Sequence, residues 1–453
     1  WIFLSLFYQK FNFRTSLLRE KTEPDYFSKV YKDRSGVKEM AKVFNYDLWG
    51  KRETKYKFLE EVKFRDVEWI ELQPTQPNYF FAPKNFDLAT EYNQGFNVDD
   101  IFLVKSTGVV THRDHFVMDF DFEVLRKRIE DFRSLNITNQ EISNIYNLKD
   151  TRDWNLELRR KSLATNKNWE KYFTVCLYRP FDSRFYYHHQ DVVEYPRQEV
   201  MQNMTQFSNL SLIVCRQQKS IGFQHCYVTD LIGEGNNISI HSRERSYHFP
   251  LYIYPNVENE QINLFLDKNP NFSPEFLTAI KEKLGYTPTP EKIFYYAYAI
   301  FHSPTYRQRY AEFLKIDFPR LPLTRNNKLF NNLATQGEQL VALHLLKSDQ
   351  FHQLITTYEG EGDNQVTQVI YNDQLQRVNI NPQKYFANIP KQIWEFKIGG
   401  YQVLEKWLKD RKKSDRALSD EDIIHYQKIV IALQQTLTIM TEIDQLIPSF
   451  PIE

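Results

Sequence analysis

Pro290–Asn326 constrains the fold of this chain more than any other stretch. It opens Pro-Glu-Lys-Ile-Phe-Tyr-Tyr-Ala-Tyr-Ala-Ile-Phe-His-Ser303, restarts at Pro304 as Pro-Thr-Tyr-Arg-Gln-Arg-Tyr-Ala-Glu-Phe-Leu314, and closes on Phe318-Pro-Arg-Leu-Pro-Leu-Thr-Arg325. A proline pushes the residue before it out of the helical region. The stretch is therefore predicted as two short helices joined at Ser303-Pro304, followed by an extended, proline-punctuated arm. Tyr295, Tyr296 and Tyr298 recur at helical spacing and are partly core. Between Arg307 and Lys328 stand Arg307, Arg309, Lys315, Arg320, Arg325 and Lys328 against only Glu312 and Asp317. This is contact chemistry, and nothing in it resembles a bond-breaking site.

Around this stretch the chain changes texture twice. Before it, Ala41–Gly50 alternates like a strand, Lys51–Val62 is an amphipathic helix, and Val67–Leu72 is a second strand. Ile101–Lys105 and Gly108–Thr111 read as short strands, Phe122–Phe132 as helix, and Glu141–Leu163 as helix in pieces. From Tyr172 short β-like runs recur: Thr174–Tyr178, Arg184–Tyr187, Leu210–Cys215, Cys226–Thr229, Ile238–Ile240 and Phe249–Tyr254. Ser273 and Pro274 are a helix cap and first helical residue, and Gly285 ends that helix. After the stretch, Gly337–Leu346 is helical. Ile355–Tyr358 and Val366–Tyr371 flank Gly360-Glu-Gly-Asp-Asn364, a hairpin signal. Val378–Ile398 continues in short strands. Tyr401–Lys412 is helical, as is a last segment capped at Ser419 and running to about Ile447, whose apolar residues form a stripe.

This pattern predicts a mixed α+β protein: a strand-rich domain with a helical C-terminal region. The 453 residues suffice for two or three domains. We divide them as an N-terminal segment 1–100, a strand-rich domain 101–330 and a mixed region 331–453 ending in helices. The opening Trp1–Tyr8 is apolar but far short of the about 20 residues that span a bilayer, and it lacks a basic start. It is read as the edge of a fragment. Three cysteines, Cys176, Cys215 and Cys226, do not suggest a disulfide framework, so a cytoplasmic protein without membrane attachment is expected.

The search for reaction chemistry returns little. Only 13 glycines are present, and Gly233-Glu-Gly235 and Gly360-Glu-Gly362 do not lie at a clear strand-to-helix junction, so plain turns are the favoured reading. His188, His189, His225, Cys215 and Cys226 lack the spacing of a zinc site. Glu61-Val-Lys63 and Glu395-Phe-Lys397 match an acidic-x-Lys metal element that recurs by chance in a charged chain. No Gly-x-Ser-x-Gly or His-Glu-x-x-His occurs.

Contact residues are easier to nominate. Lys plus Arg and Asp plus Glu both number 58, so charge alone cannot coat nucleic acid, but local basic surfaces remain. Arg216, Gln217, Gln218 and Lys219 follow a strand, and Arg243 and Arg245 lie in a second basic run. Arginine pairs with guanine and glutamine with adenine in bidentate geometry, so these six are candidates to read base edges. Arg307, Arg309, Arg320 and Arg325 are candidates for phosphate contact. Arg179 and Arg184 flank Asp182, where a DNA contact and a structural ion pair both fit.

Leu177-Tyr-Arg-Pro-Phe-Asp-Ser-Arg184, Glu194-Tyr-Pro-Arg-Gln-Glu-Val-Met201, Pro290–Arg325, Ile398-Gly-Gly-Tyr-Gln-Val-Leu-Glu-Lys-Trp-Leu-Lys409 and the closing helix carry a resemblance. The chain resembles the C-terminal specificity region of Type ISP restriction–modification enzymes and related N6-adenine DNA methyltransferases, roughly from Ala41 to Ile447. The resemblance implies a module that selects the double-stranded DNA site, with 101–330 as the target-recognition domain, for an adenine methyltransferase core on the same or a neighbouring polypeptide. That core uses S-adenosylmethionine, through a Phe-x-Gly-x-Gly-type loop and an Asn-Pro-Pro-Tyr-type catalytic loop. Neither loop occurs here, so no cofactor or catalytic residue is expected in this chain. Residues 1–70 are expected to hold at most the last strands of that core. The competing expectation is a stand-alone DNA-binding or partner-docking protein.

Overall fold

A computed structural model describes residues 25–31, 42–74, 79–205, 207–220, 222–241, 244–255 and 268–452. Trp1–Tyr8 and Arg243 lie outside these. The chain divides into two compact units between Asp87 and Leu88.

In the first unit β1 (Asp25–Tyr31), β2 (Lys42–Leu48) and β3 (Ile70–Leu72) form an antiparallel sheet in that order. α1 (Arg52–Glu61) follows β2 and lies on it through Tyr46 and Phe58, whose rings stack 5.6 Å apart. The expected strand, helix and strand are all present.

The second unit begins with α2 (Ala89–Tyr92), β4 (Phe96–Asn97) and α3 (Val98–Ile101). Asn97 caps α3 by accepting the Asp99 N–H, so the predicted strand at 101 is replaced by a helix end. Two four-stranded sheets then form the strand-rich body. One has the order β10 (Cys226–Thr229), β9 (Ser211–Cys215), β12 (Ser246–Pro250), β5 (Ser106–Thr107) and is antiparallel throughout. The other has the order β11 (Ile232–Gly233), β7 (Phe173–Arg179), β8 (Asp182–Tyr187), β6 (Met118–Asp119), with β11 parallel to β7. Residues 108–110 run between the sheets. Gly108 donates to Ser246 O, Val109 to Gly233 O, and Ser246 back to Gly235 O. The Gly233–Asn237 stretch is thus a seam between sheets. A Cβ at Gly233 would lie 2.0 Å from His248 Cε1, so only glycine fits there. Ile238–Ile240 is not a strand, because the Ile238 N–H donates to the Ser246 hydroxyl instead of to a neighbouring chain.

Helices cover the second sheet. α4 (Asp114–Val117), α5 (Phe122–Arg133), α6 (Asn139–Tyr146) and α7 (Leu156–Thr165) bury Phe116, Leu125, Ile129, Phe132 and Trp154 against Cys176, Tyr186 and Tyr187. α5 starts where the Asp121 side chain accepts from Glu123 and Val124 N–H, and its buried residues recur every three or four positions. α6 starts at a Thr138–Glu141 capping box. α8 (Gln198–Thr205) leads into β9, and β13 (Tyr252–Ile253) pairs with β14 (Asn269–Pro270).

Pro290–Asn326 folds with the predicted break at Ser303-Pro304, but its second helix divides again at Tyr310. α9 (Pro274–Leu284) is capped by Ser273 and ends at Gly285 in the left-handed region. α10 (Pro290–His302) and α11 (Pro304–Arg309) meet at Ser303, which ends the first and caps the second by accepting the Tyr306 N–H. α12 (Ala311–Leu314) and β15 (Arg320–Leu321) follow, and β15 pairs with β4. Tyr296 and Tyr298 are fully buried. α13 (Asn327–His344) starts ten residues before the predicted Gly337, because Asn326 caps it by accepting from Lys328 and Leu329 N–H. Gly337 lets α13 lie directly on α10: a Cβ there would sit 1.8 Å from Tyr295 O. Gly337→Ala gains helix propensity of about 1 kcal/mol, but the helices must separate. A net loss of about 2–3 kcal/mol is expected by urea denaturation.

In the C-terminal part β16 (Thr357–Glu359), β19 (Tyr385–Ala387), β18 (Arg377–Asn379) and β17 (Ile370–Asn372) form a sheet in that order. The hairpin predicted across Gly360–Asn364 is therefore absent: β16 pairs with β19, and β17 with β18. Gly360 abuts Gln383 O so closely that a Cβ would lie 2.0 Å away, which folds the loop onto the next hairpin. α14 (Lys391–Trp394), β20 (Lys397–Ile398) and β21 (Tyr401–Gln402) lead to α15 (Val403–Lys413). α16 (Asp420–Leu446) starts at a Ser419–Asp422 capping box. Asp444 near its end accepts from the Ser303 hydroxyl, the Thr305 N–H (3.0 Å) and the Thr305 hydroxyl (2.7 Å), fastening the α10–α11 joint. The whole is an α+β protein. Among the described residues no helix is long and apolar enough to cross a membrane.

Candidate nucleic-acid interface

β9 and β12 pair with Ser246 opposite Cys215, so Arg216 and Arg245 leave the same end of one sheet. Burial alternates back from β12: His248, Ser246 and Glu244 point inward, while Tyr247 is half-buried and Arg245 exposed. In the loop after β9, Arg216, Gln217 and Lys219 are exposed and Gln218 is buried. Gln218 donates its N–H to Lys315 O at 3.2 Å, and both atoms of its side-chain amide lack a partner. Among the described residues, the side chains of Gln217, Lys219 and Arg245 make no hydrogen bond or ion pair, so they are open to solvent.

Glu244 holds this loop from below. Its Oε1 accepts the Lys219 and Ser220 N–H groups, and its Oε2 accepts the Ser239 hydroxyl and lies 3.1 Å from His225 Nε2. Both Glu244 and His225 are wholly buried. Burial alone would raise the carboxyl pKa, but the bonds from His225, Ser239 and Lys219 outweigh it and hold the group well below the usual carboxylate range. A buried anion fixed by backbone donors makes the loop rigid. Neither Glu244 nor His225 was nominated from sequence. The inward alternation of 248, 246 and 244 was the available signal.

Arg216 is the most organised of the exposed groups. Its Nε donates to Asp317 Oδ1 at 3.0 Å, and its guanidinium carbon lies 6.0 Å from the centre of the Phe318 ring. Asp317 Oδ2 accepts from Asn97 Nδ2 at 3.3 Å. The Asp317 hydrogen bond, followed by its charge, raises the Arg216 pKa.

The arginines of α11, β15 and the arm are placed differently. Arg307 is half-buried, donates from Nε to Phe301 O at 2.6 Å, and is pushed by burial to a pKa of about 10. Arg309 makes a two-pronged pair with Glu91, each bond 2.7 Å. Arg320 lies opposite Asn97 in the β15–β4 pair and donates to Gly95 O at 3.0 Å. Asn97 therefore links the Arg320 arm to Asp317 and Arg216. Arg325 is exposed, and among the described residues it has no partner.

Arg179 and Arg184 are committed inside the protein. Arg179 pairs with Glu234 at 2.7 Å, with 8% and 4% of the two side chains exposed. Arg184 and Arg411 both bond Asp182, at 2.9 and 2.8 Å, and their guanidinium carbons lie 3.7 and 4.8 Å from the centre of the Phe120 ring. Burial would raise the Asp182 pKa, but Arg411 and Arg184 lower it overall. This network joins β8 to α15. Among the described residues no group of three or more His, Cys, Asp or Glu side chains could hold a metal ion.

The family model described as the Type ISP C-terminal specificity domain matches residues 100–442. Three solved structures share the fold. The first, titled as a cryoEM structure of a DrdV–DNA complex, has 20% identity and a TM-score of 0.67, over 87% of this chain and 42% of that one. The second is the ATP-dependent Type ISP restriction–modification enzyme LlaBIII bound to DNA, with 20% identity and a TM-score of 0.66, over 85% of this chain and 26% of that one. The third is a nuclease-deletion mutant of the Type ISP enzyme LlaGI with a DNA substrate mimic, with 19% identity and a TM-score of 0.66, over 92% and 34%. The chain thus spans less than half the length of each. No curated protein matches it.

Proposed function

Because the chain belongs to the Type ISP C-terminal specificity domain family, we propose that it recognises a specific sequence in double-stranded DNA. It does so as the specificity part of an adenine-N6 DNA methyltransferase or restriction–modification enzyme in the cytoplasm. The observation that carries this reading is the end of the β9–β12 sheet: Arg216, Gln217 and Lys219 face solvent there on a loop tied down by Glu244, and Arg245 faces solvent from the segment leading into β12. Donors and amides on a rigid strand end suit base edges in a major groove. The reading does not rest on Arg179, Arg184, Gln218, Arg307 or Arg309, whose side chains are buried or paired within the protein. Recognition falls within 101–330, with 331–453 as support and 1–100 leading from a methyltransferase core. That core, on the same or a neighbouring polypeptide, would bring S-adenosylmethionine. No residue here is assigned to that cofactor, since neither of its loops occurs in the sequence.

Salt titration of duplex binding tests the reading. Affinity falls as salt rises while the preference for one sequence persists. Absence of duplex binding even at low salt would overturn it. Arg325→Ala is expected to weaken binding equally for all sequences and to reduce the slope of log K against log salt by about 0.9, the signature of one lost phosphate contact.

A further inference from the structure

Arg216 has only part of its guanidinium available. Nε is taken by Asp317 Oδ1, so Nη1 and Nη2 remain as two parallel donors at the tip. The other Asp317 oxygen is held by Asn97, and the Phe318 ring, 3% exposed and edge-on to Tyr247 and Phe249, lies beside the guanidinium. The Gln218 N–H also binds Lys315 O, so the segment 315–318 supports the Arg216 loop twice. The side chain is thus oriented by Asp317 before any ligand arrives.

We infer that Arg216 reads a single guanine through its two terminal nitrogens, with Asp317 as the positioning residue that presents the fork. The inference rests on the DNA-recognition reading above and adds the base and the mechanism. Two physical reasons select guanine. Its O6 and N7 are adjacent acceptors at the spacing of the fork, whereas adenine offers a donor beside its N7 and repels one prong. A phosphate would also accept the fork, but the Arg216–Asp317 pair carries no net charge. The Asp317 carboxylate repels a phosphate anion and is indifferent to a neutral base edge. Exposed arginines without a carboxylate beside them, such as Arg325, are the better phosphate ligands.

The test is selection of bound duplexes from a randomised pool by the 453-residue chain, followed by affinities for the selected duplex and its single-base variants. Arg216→Lys keeps the charge and loses the fork. It is expected to lose preference for guanine at one position only, by about ten- to a hundredfold, while its salt slope stays that of the parent. Asp317→Asn is expected to weaken preference at the same position, and Asp317→Glu to restore part of it. Thermal melting of each variant separates loss of reading from loss of fold, and Arg216→Lys, at an exposed site, is expected to melt as the parent does. Two outcomes overturn the inference alone: the parent selects a sequence and Arg216→Lys selects the same one, or Arg216→Ala lowers affinity evenly across sequences and reduces the salt slope. If the parent selects no sequence, the recognition reading fails and this inference with it.

Discussion

Between pH 6.5 and 4 the larger unit is expected to lose stability steeply, because burial keeps His188, His248 and His344 neutral. His248 and His344 are fully buried, and burial pushes both pKa values down to about 3. His188 is pushed to about 4, again chiefly by burial. His248 Nε2 lies 3.2 Å from Asn237 Nδ2, and its Nδ1 has no partner. His344 sits between the Tyr298 hydroxyl (2.5 Å) and the Thr436 hydroxyl (3.0 Å), where Arg307 further disfavours a second positive charge. At pH 7 each ring is mostly neutral whether folded or unfolded, and contributes little pH dependence. As pH falls through about 6.5 the unfolded chain takes up a proton that the folded chain refuses until about 3 or 4. Stability is therefore lost across that window, at up to about 1.4 kcal/mol per pH unit for each ring. By pH 5 this amounts to about 2 kcal/mol per ring and about 6 kcal/mol for the three, comparable with the whole stability of many domains. Urea denaturation at pH 7, 6 and 5 checks it. An unchanged midpoint would show that these rings are not buried as described.

Replacing Glu244 by alanine is expected to cost about 3–5 kcal/mol, because several buried donors lose their shared acceptor at once. His225 would be left without its partner in a site with no solvent access, and the Lys219 and Ser220 N–H groups would lose their acceptor. Glu244→Gln keeps the shape and one acceptor oxygen, so a smaller loss of about 1–3 kcal/mol is expected. The charge term has its own acid signature. The folded-state pKa is depressed, so the stabilisation is full above about pH 4.5 and disappears only as pH falls below it, from the acid end of the histidine window downward. Denaturation midpoints give the energies. Amide exchange at Lys219 and Ser220 reports whether the loop itself opens. A Glu244→Ala protein within about 0.5 kcal/mol of the parent, with unchanged exchange, would dismiss the clamp.

Local chemistry was the readable part of this fold. Ser273, Pro274 and Gly285, the Ser303–Pro304 break and Ser419 each act on their own neighbours, and the structure has helix ends at all of them. The runs that became β7, β8, β9 and β10 were visible because strand residues carry their own periodicity. What escaped depends on distant partners. Gly360–Asn364 has the composition of a tight hairpin, yet the flanking strands pair elsewhere because Gln383 occupies the inside of the turn. Glu244 stands between two arginines and reads as surface charge. Only the Cys215–Ser246 register, set by the sheet, turns it inward. Arg179 and Arg184 fit two roles in sequence; Glu234, 55 residues beyond Arg179, takes up its charge, and Arg411, 227 residues beyond Arg184, helps enclose the local Arg184–Asp182 pair. Asp317 was counted merely as opposing charge in a basic stretch, because nothing local says that it faces Arg216.

The fastening of Ser303 and Thr305 by Asp444 also bears on how the protein is made. The joint between α10 and α11 gains its last partner from a residue synthesised 141 positions after Ser303. A nascent chain leaving the ribosome carries that joint unlatched until nearly all of α16 has emerged, which at about 5–20 residues per second leaves an interval of about 7 to 30 seconds. During that time the apolar length of α10 has the elements made before α16, among them β10, α11, β15 and α13, for cover. A chain stopped short of Asp444 would therefore lack the latch on Ser303 and Thr305.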